Sequence, residues 1–163
     1  MATANNDTIE VLNDLIATCK DGVNGFKTAA DAVKSPTVKA AFLSRVTTIE
    51  QAAFDLQGAV RRLGGDPTDT GHAAASLHRG WLNLKAAVGM NDEQEIIEET
   101  LHGEEEAVKH YRDALAKPLP ADVRLIVEQQ ARGAAENLAA VRSLGTGTSS
   151  PRERMGTGTD ARM

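Results

Sequence analysis

The sequence is poor in aromatic side chains, which make up 3% of its 163 residues, and it contains a single cysteine. A β-sandwich or β-barrel core normally uses more aromatic and β-branched residues, so an all-β fold is disfavoured. One cysteine excludes an intrachain disulfide and suggests a reducing compartment. Hydrophobic residues nevertheless reach 41%, and alanine occurs 26 times. This composition predicts a soluble globular protein built of closely packed helices.

The sequence also lacks an excess of positive charge and any long apolar run. Its formal net charge of -5 argues against nucleic acid as a partner, because phosphate contacts need a basic face. No uninterrupted apolar run approaches the roughly 20 residues of a membrane span, so a membrane partner is not expected either. The first residues, MATANND, have neither the basic nor the apolar region of a secretory signal.

Glycine and proline interrupt the sequence at a few places, and the segments between them have helical periodicity. Their apolar residues step by three and four, which places them on one face of a helix. Asp7 and Ser35 are expected N-caps, with Pro36 in the first helical position after Ser35. The predicted helices are 8–34, 36–63, a shorter one at 72–88, one that starts at 91 and has its last inward residue at 115, and 120–144.

The long connection between the second and third long helices predicts a specific topology. It can run the length of a bundle, so that the third long helix lies parallel to the second. We therefore predict an all-α, ferritin-like four-helix bundle with one long crossover that carries a short helix. Trp81, on the apolar stripe of that short helix, is expected to anchor it against the bundle.

Residues 145–163 differ from the rest of the chain. They repeat GTGT around SSPRERM and contain almost no apolar side chains, which is typical of a flexible appendage. The predicted organisation is therefore a helical bundle over 1–144 and a flexible tail over 145–163.

Several stretches resemble a bacterial family of ferritin-like four-helix-bundle proteins of unassigned function. They are LNDLIATCKDG, RRLGGDP, LHRGWLNLK, HGEEEAVKHYRDAL and LPADVR. The resemblance covers about residues 8–144 and implies a cytoplasmic, stress-induced and oligomeric bundle. It implies no known substrate.

Glu104 is the most informative residue, because it lies on the inward stripe between Leu101 and Val108. A buried carboxylate is costly unless it is paired, protonated or bound to metal. We expect Glu104 to be largely buried, to have a raised pKa and to be satisfied by a polar neighbour. Glu105 and His102 are the other candidate metal ligands, together with Glu104.

The rest of a di-metal ligand set is missing from its expected positions. Such sites in ferritin-like bundles take one Glu from each of two helices and Glu-x-x-His from each of the other two. Glu99 and His102 have that spacing but lie off the predicted stripe. The family resemblance implies a Glu where Val23 stands and a His where Leu138 stands. We therefore expect no cofactor and a degenerate site, with iron or manganese as the alternative.

Three functions remain open from the sequence. The favoured one is a non-enzymatic, self-associating, stress-associated bundle that forms a homodimer or larger oligomer. The second is a di-metal binding or oxidising protein, and the third is an assembly component whose tail docks onto a protein partner. Self-association is suggested by apolar residues off the inward stripes, which form a candidate patch that a second subunit would cover. They are Ile9, Leu15, Ile96, Leu125 and Ile126.

Overall fold

The computed structural model of the chain describes residues 2–68 and 78–147, and it is all-α over these residues. Four long helices form the bundle, and two short elements precede the third of them. The helices are α1 (Ala2–Ala32), α2 (Pro36–Arg62), a 3₁₀ turn (His78–Trp81), α3 (Leu84–Gly89), α4 (Glu93–Leu115) and α5 (Ala121–Gly147).

Side-chain contacts establish the direction of each helix. Thr18 of α1 contacts His110 of α4, while Lys34, just after α1, binds Glu93 at the start of α4, so these two helices run in opposite directions. The short turn between α1 and α2 makes that pair antiparallel as well. As a consequence α2 and α4 are parallel, which is the relative direction that the sequence predicted.

The ends of α2 and α4 are capped as their sequences indicate. The Ser35 hydroxyl accepts a hydrogen bond from the amide of Val38, and the Asp92 carboxylate accepts from the amides of Gln94 and Glu95. Glu93 adds a tertiary contact, because its Oε1 accepts from the amides of Lys34 and Ser35, each at 2.9 Å. One carboxylate thus joins the α1–α2 turn to the first turn of α4.

Two predicted helix boundaries are wrong. α1 begins at Ala2 and not after Asp7, because residues 2–7 contain no helix breaker and the Thr8 hydroxyl bonds back to the Ala4 carbonyl within the helix. The predicted boundary between bundle and tail at 144 falls inside α5, which continues to Gly147. The rest of the predicted tail, 148–163, lies outside the described residues.

The predicted crossover helix at 72–88 is wrong as a single element. Its last part consists of the 3₁₀ turn and α3, and residues 69–77 lie outside the described part of the chain. The 3₁₀ turn that replaces the predicted α-helix contains Gly80. A side chain there would meet the Cα of Gly103 at 2.8 Å, so the chain crosses α4 in close backbone contact.

Trp81 anchors the crossover in a slot between two long helices. Its indole lies between Gly25 of α1 and Gly103 of α4, and a methyl group on either glycine would overlap the ring. The ring also packs edge-on against Phe26, with centroids 5.3 Å apart. Trp81 is therefore an anchor against the bundle, as predicted, and the glycines at 25 and 103 allow its close approach.

The core includes two residues that the sequence placed on an exposed patch. Leu15 and Ile96 are both 1% exposed and belong to the buried cluster, and Ile9 packs on Gly65. The predicted patch is therefore wrong for these residues, because the broad apolar faces of α1 and α4 contact more than one neighbour. Leu125 does remain 62% exposed.

Within the described residues, no helix is both long and apolar enough to span a bilayer.

The Trp81 slot predicts that Gly103→Ala destabilises the protein. The added methyl overlaps the indole, and overpacking of this kind costs about 1–3 kcal/mol. Gly133→Ala is the matched control, since a side chain at Gly133 in α5 meets no atom within 4 Å and alanine favours a helix by up to about 1 kcal/mol. Urea unfolding measures both free energies, and equal effects of the two substitutions would contradict the slot.

Candidate functional site

The centre of the bundle contains a buried ion pair between α2 and α4. Glu104 is 1% exposed, and its Oε1 lies 2.6 Å from Nη2 of Arg45. Nε of the same guanidinium donates to Oε2 at 3.3 Å, and Nδ2 of Asn137 on α5 donates to Oε2 at 3.1 Å. Two other helices therefore satisfy this carboxylate, which confirms that Glu104 is buried beside a polar neighbour.

Burial controls the protonation of this carboxyl. Removal from water raises the pKa of Glu104, and the hydrogen bonds and positive charge of Arg45, together with the Asn137 amide, oppose that rise. The predicted direction of the pKa shift is therefore the one found. Removing one member of a buried pair leaves an uncompensated charge, which typically costs about 3–5 kcal/mol. The arrangement thus constrains α2, α4 and α5 together.

A second polar group lies on the same side of α4, two turns further on. The Tyr111 hydroxyl donates to Oε1 of Gln130 at 2.9 Å, and Nε2 of Gln130 donates to the Ala52 carbonyl at 3.1 Å. Cys19 Sγ lies 3.7 Å from the same hydroxyl. Burial raises the pKa of Cys19 to about 11, so this thiol stays protonated and is a poor nucleophile at neutral pH.

A third polar group lies between α1 and α4. The Thr18 hydroxyl is 3.0 Å from Nδ1 of His110, and Nε2 of His110 is 3.7 Å from the Glu106 carboxylate. Desolvation lowers the pKa of His110, although Glu106 and Asp113 oppose that effect. His110 is therefore neutral at pH 7.

These groups line one cavity of about 550 Å³ between the helices, which is partly open to solvent. Residues from all four long helices form its wall, and Trp81 closes one side of it. Thr18 and Glu106 are at the α1–α4 side, whereas Gln51, Asp55 and Gln129 are at the α2–α5 side. Its size is in the usual range for sites that bind small molecules.

The structure separates Glu104 from the other two predicted metal candidates, which lie on the outward face of α4. Glu104 points inward to Arg45, whereas the side chain of Glu105 is 48% exposed and lies 3.3 Å from Arg142. His102 is 57% exposed, with its Nδ1 3.2 Å from Glu99 Oε1. In the portion of the chain that is described, no three His, Cys, Asp or Glu side chains group together as metal ligands would.

The residues at the centre do not suit a di-metal pair. Iron and manganese take carboxylate and imidazole ligands, and both oxygens of Glu104 already accept hydrogen bonds from Arg45. A metal ion at that carboxylate would face the positive guanidinium. Val23 and Leu138, where the family resemblance implies ligands, are half-buried apolar residues.

Sequence reasoning missed the partners of Glu104 and predicted the wrong orientation for Glu99. Arg45 lies three residues after Phe42 and four before Ile49, so its helical position was a signal that it faces the core. Asn137 carried the same signal, because it lies three residues after Ala134 and four before Val141. Glu99 was predicted off the inward stripe, yet it is 5% exposed.

The family of the chain follows from a comparison with known families. The model of a family described as a domain of unknown function (DUF2383) matches residues 7–117, which is 111 of the 163 residues. The chain belongs to this family. The match includes α1, α2, the crossover and α4 and ends before α5. A search of curated proteins found no match.

The raised pKa of Glu104 predicts how stability depends on pH. The native state holds the proton of the Glu104 carboxyl more tightly than the unfolded state does. Wild-type stability therefore falls as pH rises from the unfolded-state pKa of about 4.5 toward the higher pKa of the native state. Glu104→Gln removes that titration, and the free energy of unfolding of wild type should therefore decline relative to this variant over that interval. Urea unfolding from pH 4 to pH 8 measures the difference. A constant difference over that range would show that burial does not raise this pKa.

Proposed function

We propose that the protein is a ferritin-like bundle with a structural centre, which acts without catalysis and associates with copies of itself. The observation that carries the proposal is the Arg45–Glu104 ion pair. In this pair the positively charged guanidinium of Arg45 lies against the carboxylate that a metal centre would need as a ligand. A cytoplasmic, stress-associated role belongs to the same proposal and rests on the family resemblance.

The topology supports the ferritin-like part of this proposal. Parallel α2 and α4, joined by one long crossover, are the arrangement of ferritin-like bundles. In such bundles the inward carboxylates meet at the middle of the helices. Glu104 lies near the middle of α4, with Arg45 and Asn137 as its partners from two other helices.

Exposed apolar residues on the outside of the bundle support self-association. Phe54 on α2 is 66% exposed, Leu43 on the same helix is 46% exposed, and Leu125 on α5 is 62% exposed. The contact between Gln130 and Ala52 places Phe54 and Leu125 in nearby turns of adjacent helices. Large apolar side chains exposed on adjacent helices are typical of a contact surface.

The two alternatives have weaker support. A di-metal oxidising protein would need several convergent ligands, and Glu104 faces the bundle interior whereas Glu105 and His102 are exposed. Docking of the C-terminal tail onto a protein partner concerns residues beyond Gly147, outside the described part of the chain.

Metal analysis tests the structural centre. After purification from cells supplied with iron and manganese, we expect the protein to contain neither metal in stoichiometric amount, because Arg45 opposes a cation at Glu104. Elemental analysis measures both metals. Stoichiometric metal that is lost in Glu104→Ala and kept in the exposed control Glu105→Ala would overturn this part of the proposal.

Light scattering tests self-association. We expect the wild-type protein at micromolar concentration to have at least twice the 17.3 kDa mass of one subunit, also when it is truncated after Gly147. Phe54→Glu should shift the mass toward one subunit, because burial of a new charge opposes the contact. Leu82→Glu is the control, since Leu82 is 69% exposed and lies on the crossover. A wild-type mass of one subunit would refute the association, and equal effects of the two variants would refute the proposed surface.

A further inference from the structure

A glutamate and a histidine one helical turn apart face each other at the α1–α4 side of the cavity. Nε2 of His110 lies 3.7 Å from Oε2 of Glu106, and both residues line the cavity. The side chain of His110 is 15% exposed and that of Glu106 is 30% exposed, so a small ion can reach the pair from the open part of the cavity. An imidazole nitrogen and a carboxylate oxygen are both common ligands of Zn²⁺.

Thr18 of α1 determines which nitrogen of His110 carries the proton. The Thr18 hydroxyl donates its single proton to the Asp14 carbonyl at 3.1 Å, one turn earlier in α1. Its oxygen is 3.0 Å from Nδ1 of His110, so in this second contact the hydroxyl accepts and the Nδ1–H group donates. Because His110 is neutral at pH 7, its other nitrogen, Nε2, has a lone pair on the side of Glu106.

Two acceptors therefore face each other without a proton between them. Among the side chains that the structure describes, His110 is the only polar partner of the Glu106 carboxylate. While the imidazole is neutral, its lone pair and the carboxylate oxygen gain nothing from their contact, whereas a cation between them would be attracted by both. The crossover supports this arrangement, since a side chain at Gly80 would meet Cγ of Glu106 at 3.1 Å.

The separation of the two atoms suits ligands of one metal ion. Zn²⁺ binds histidine nitrogen and carboxylate oxygen at about 2.0–2.2 Å, so two such ligands at a tetrahedral angle are about 3.4 Å apart. A small rotation of the partly exposed Glu106 side chain covers the difference from 3.7 Å. Water from the open part of the cavity can occupy the remaining coordination positions.

We infer that Glu106 and His110 form a binding site for a divalent transition-metal ion, represented here by Zn²⁺. Nε2 of His110 and the Glu106 carboxylate are the two protein ligands, and the Thr18 hydroxyl orients the imidazole through Nδ1. A site of nitrogen and oxygen ligands binds Zn²⁺ more strongly than Mn²⁺ or Fe²⁺. The site does not use Glu104, so it depends neither on the Arg45–Glu104 pair nor on self-association.

Calorimetric titration of the untagged full chain with Zn²⁺ at pH 7 tests the site. We expect saturable binding of one ion per chain, and His110→Gln should abolish it because the variant lacks the imidazole lone pair. His102→Gln is the matched control, since His102 also contacts a glutamate but is 57% exposed, and it should leave binding unchanged. No saturable heat with millimolar Zn²⁺, or loss of binding in His102→Gln, would overturn the inference.

Two adjacent glutamates of α4 provide a second matched pair of variants. Glu106→Gln replaces the ligand carboxylate by an amide and should weaken Zn²⁺ binding by at least about ten-fold. Glu105→Gln makes the same chemical change outside the cavity, where Glu105 pairs with Arg142, and should have no effect. Equal weakening in both variants would show that only the overall charge of the protein matters, and it would refute the site.

Thr18 is a positioning residue, and its role has a separate readout. Thr18→Val removes the acceptor at Nδ1 and should weaken Zn²⁺ binding by about ten-fold or more, whereas Thr18→Ser keeps the hydroxyl and should keep the affinity. Long-range ¹⁵N–¹H correlation spectra of the zinc-free protein report the tautomer of His110, which should be Nδ1–H in the wild type and in Thr18→Ser. Circular dichroism checks that each variant is folded. An Nε2–H tautomer in the wild type, or unchanged Zn²⁺ affinity in Thr18→Val, would contradict the proposed arrangement.

Discussion

A buried carboxylate is the constraint on which the centre of this bundle depends. Glu104 loses its hydration when four helices close around it, and the cost is too large to leave unmet. Arg45 and Asn137 meet it from two other helices, which couples the register of α2, α4 and α5 to one side chain. The same bonds occupy both oxygens of the Glu104 carboxylate.

A second constraint is steric, and it joins the crossover to the bundle. The indole of Trp81 enters a slot that exists because positions 25 and 103 lack side chains, and Gly80 brings the crossover backbone against α4. Asn13 holds the beginning of the same connection. Its Nδ2 donates to the Asp66 carbonyl, and its Oδ1 accepts from the backbone amide of Thr68. The crossover is thus attached at both ends of its described part, and its aromatic anchor forms one wall of the cavity.

These two constraints shape the middle of the bundle, which is not a purely apolar core. Leucine, isoleucine and phenylalanine fill the ends of the bundle, but the middle contains polar groups that must bond to one another. The cavity lies beside these polar groups. The remaining space has carboxylates on its wall, and its chemistry therefore differs from that of the surrounding core.

The sequence by itself determined the four long helices and their order, because periodic apolar residues and local stops such as Ser35-Pro36 act within one turn of the chain. It also determined that Glu104 faces inward, since that follows from its spacing to Leu101 and Val108. Only the tertiary structure decided what Glu104 meets, because Arg45 is 59 residues away and Asn137 33 residues away along the chain. The same is true of Leu15 and Ile96, whose burial depends on helices that no local pattern positions. Helix formation is governed by neighbours in sequence, whereas partners across the bundle are set by how whole helices pack against one another.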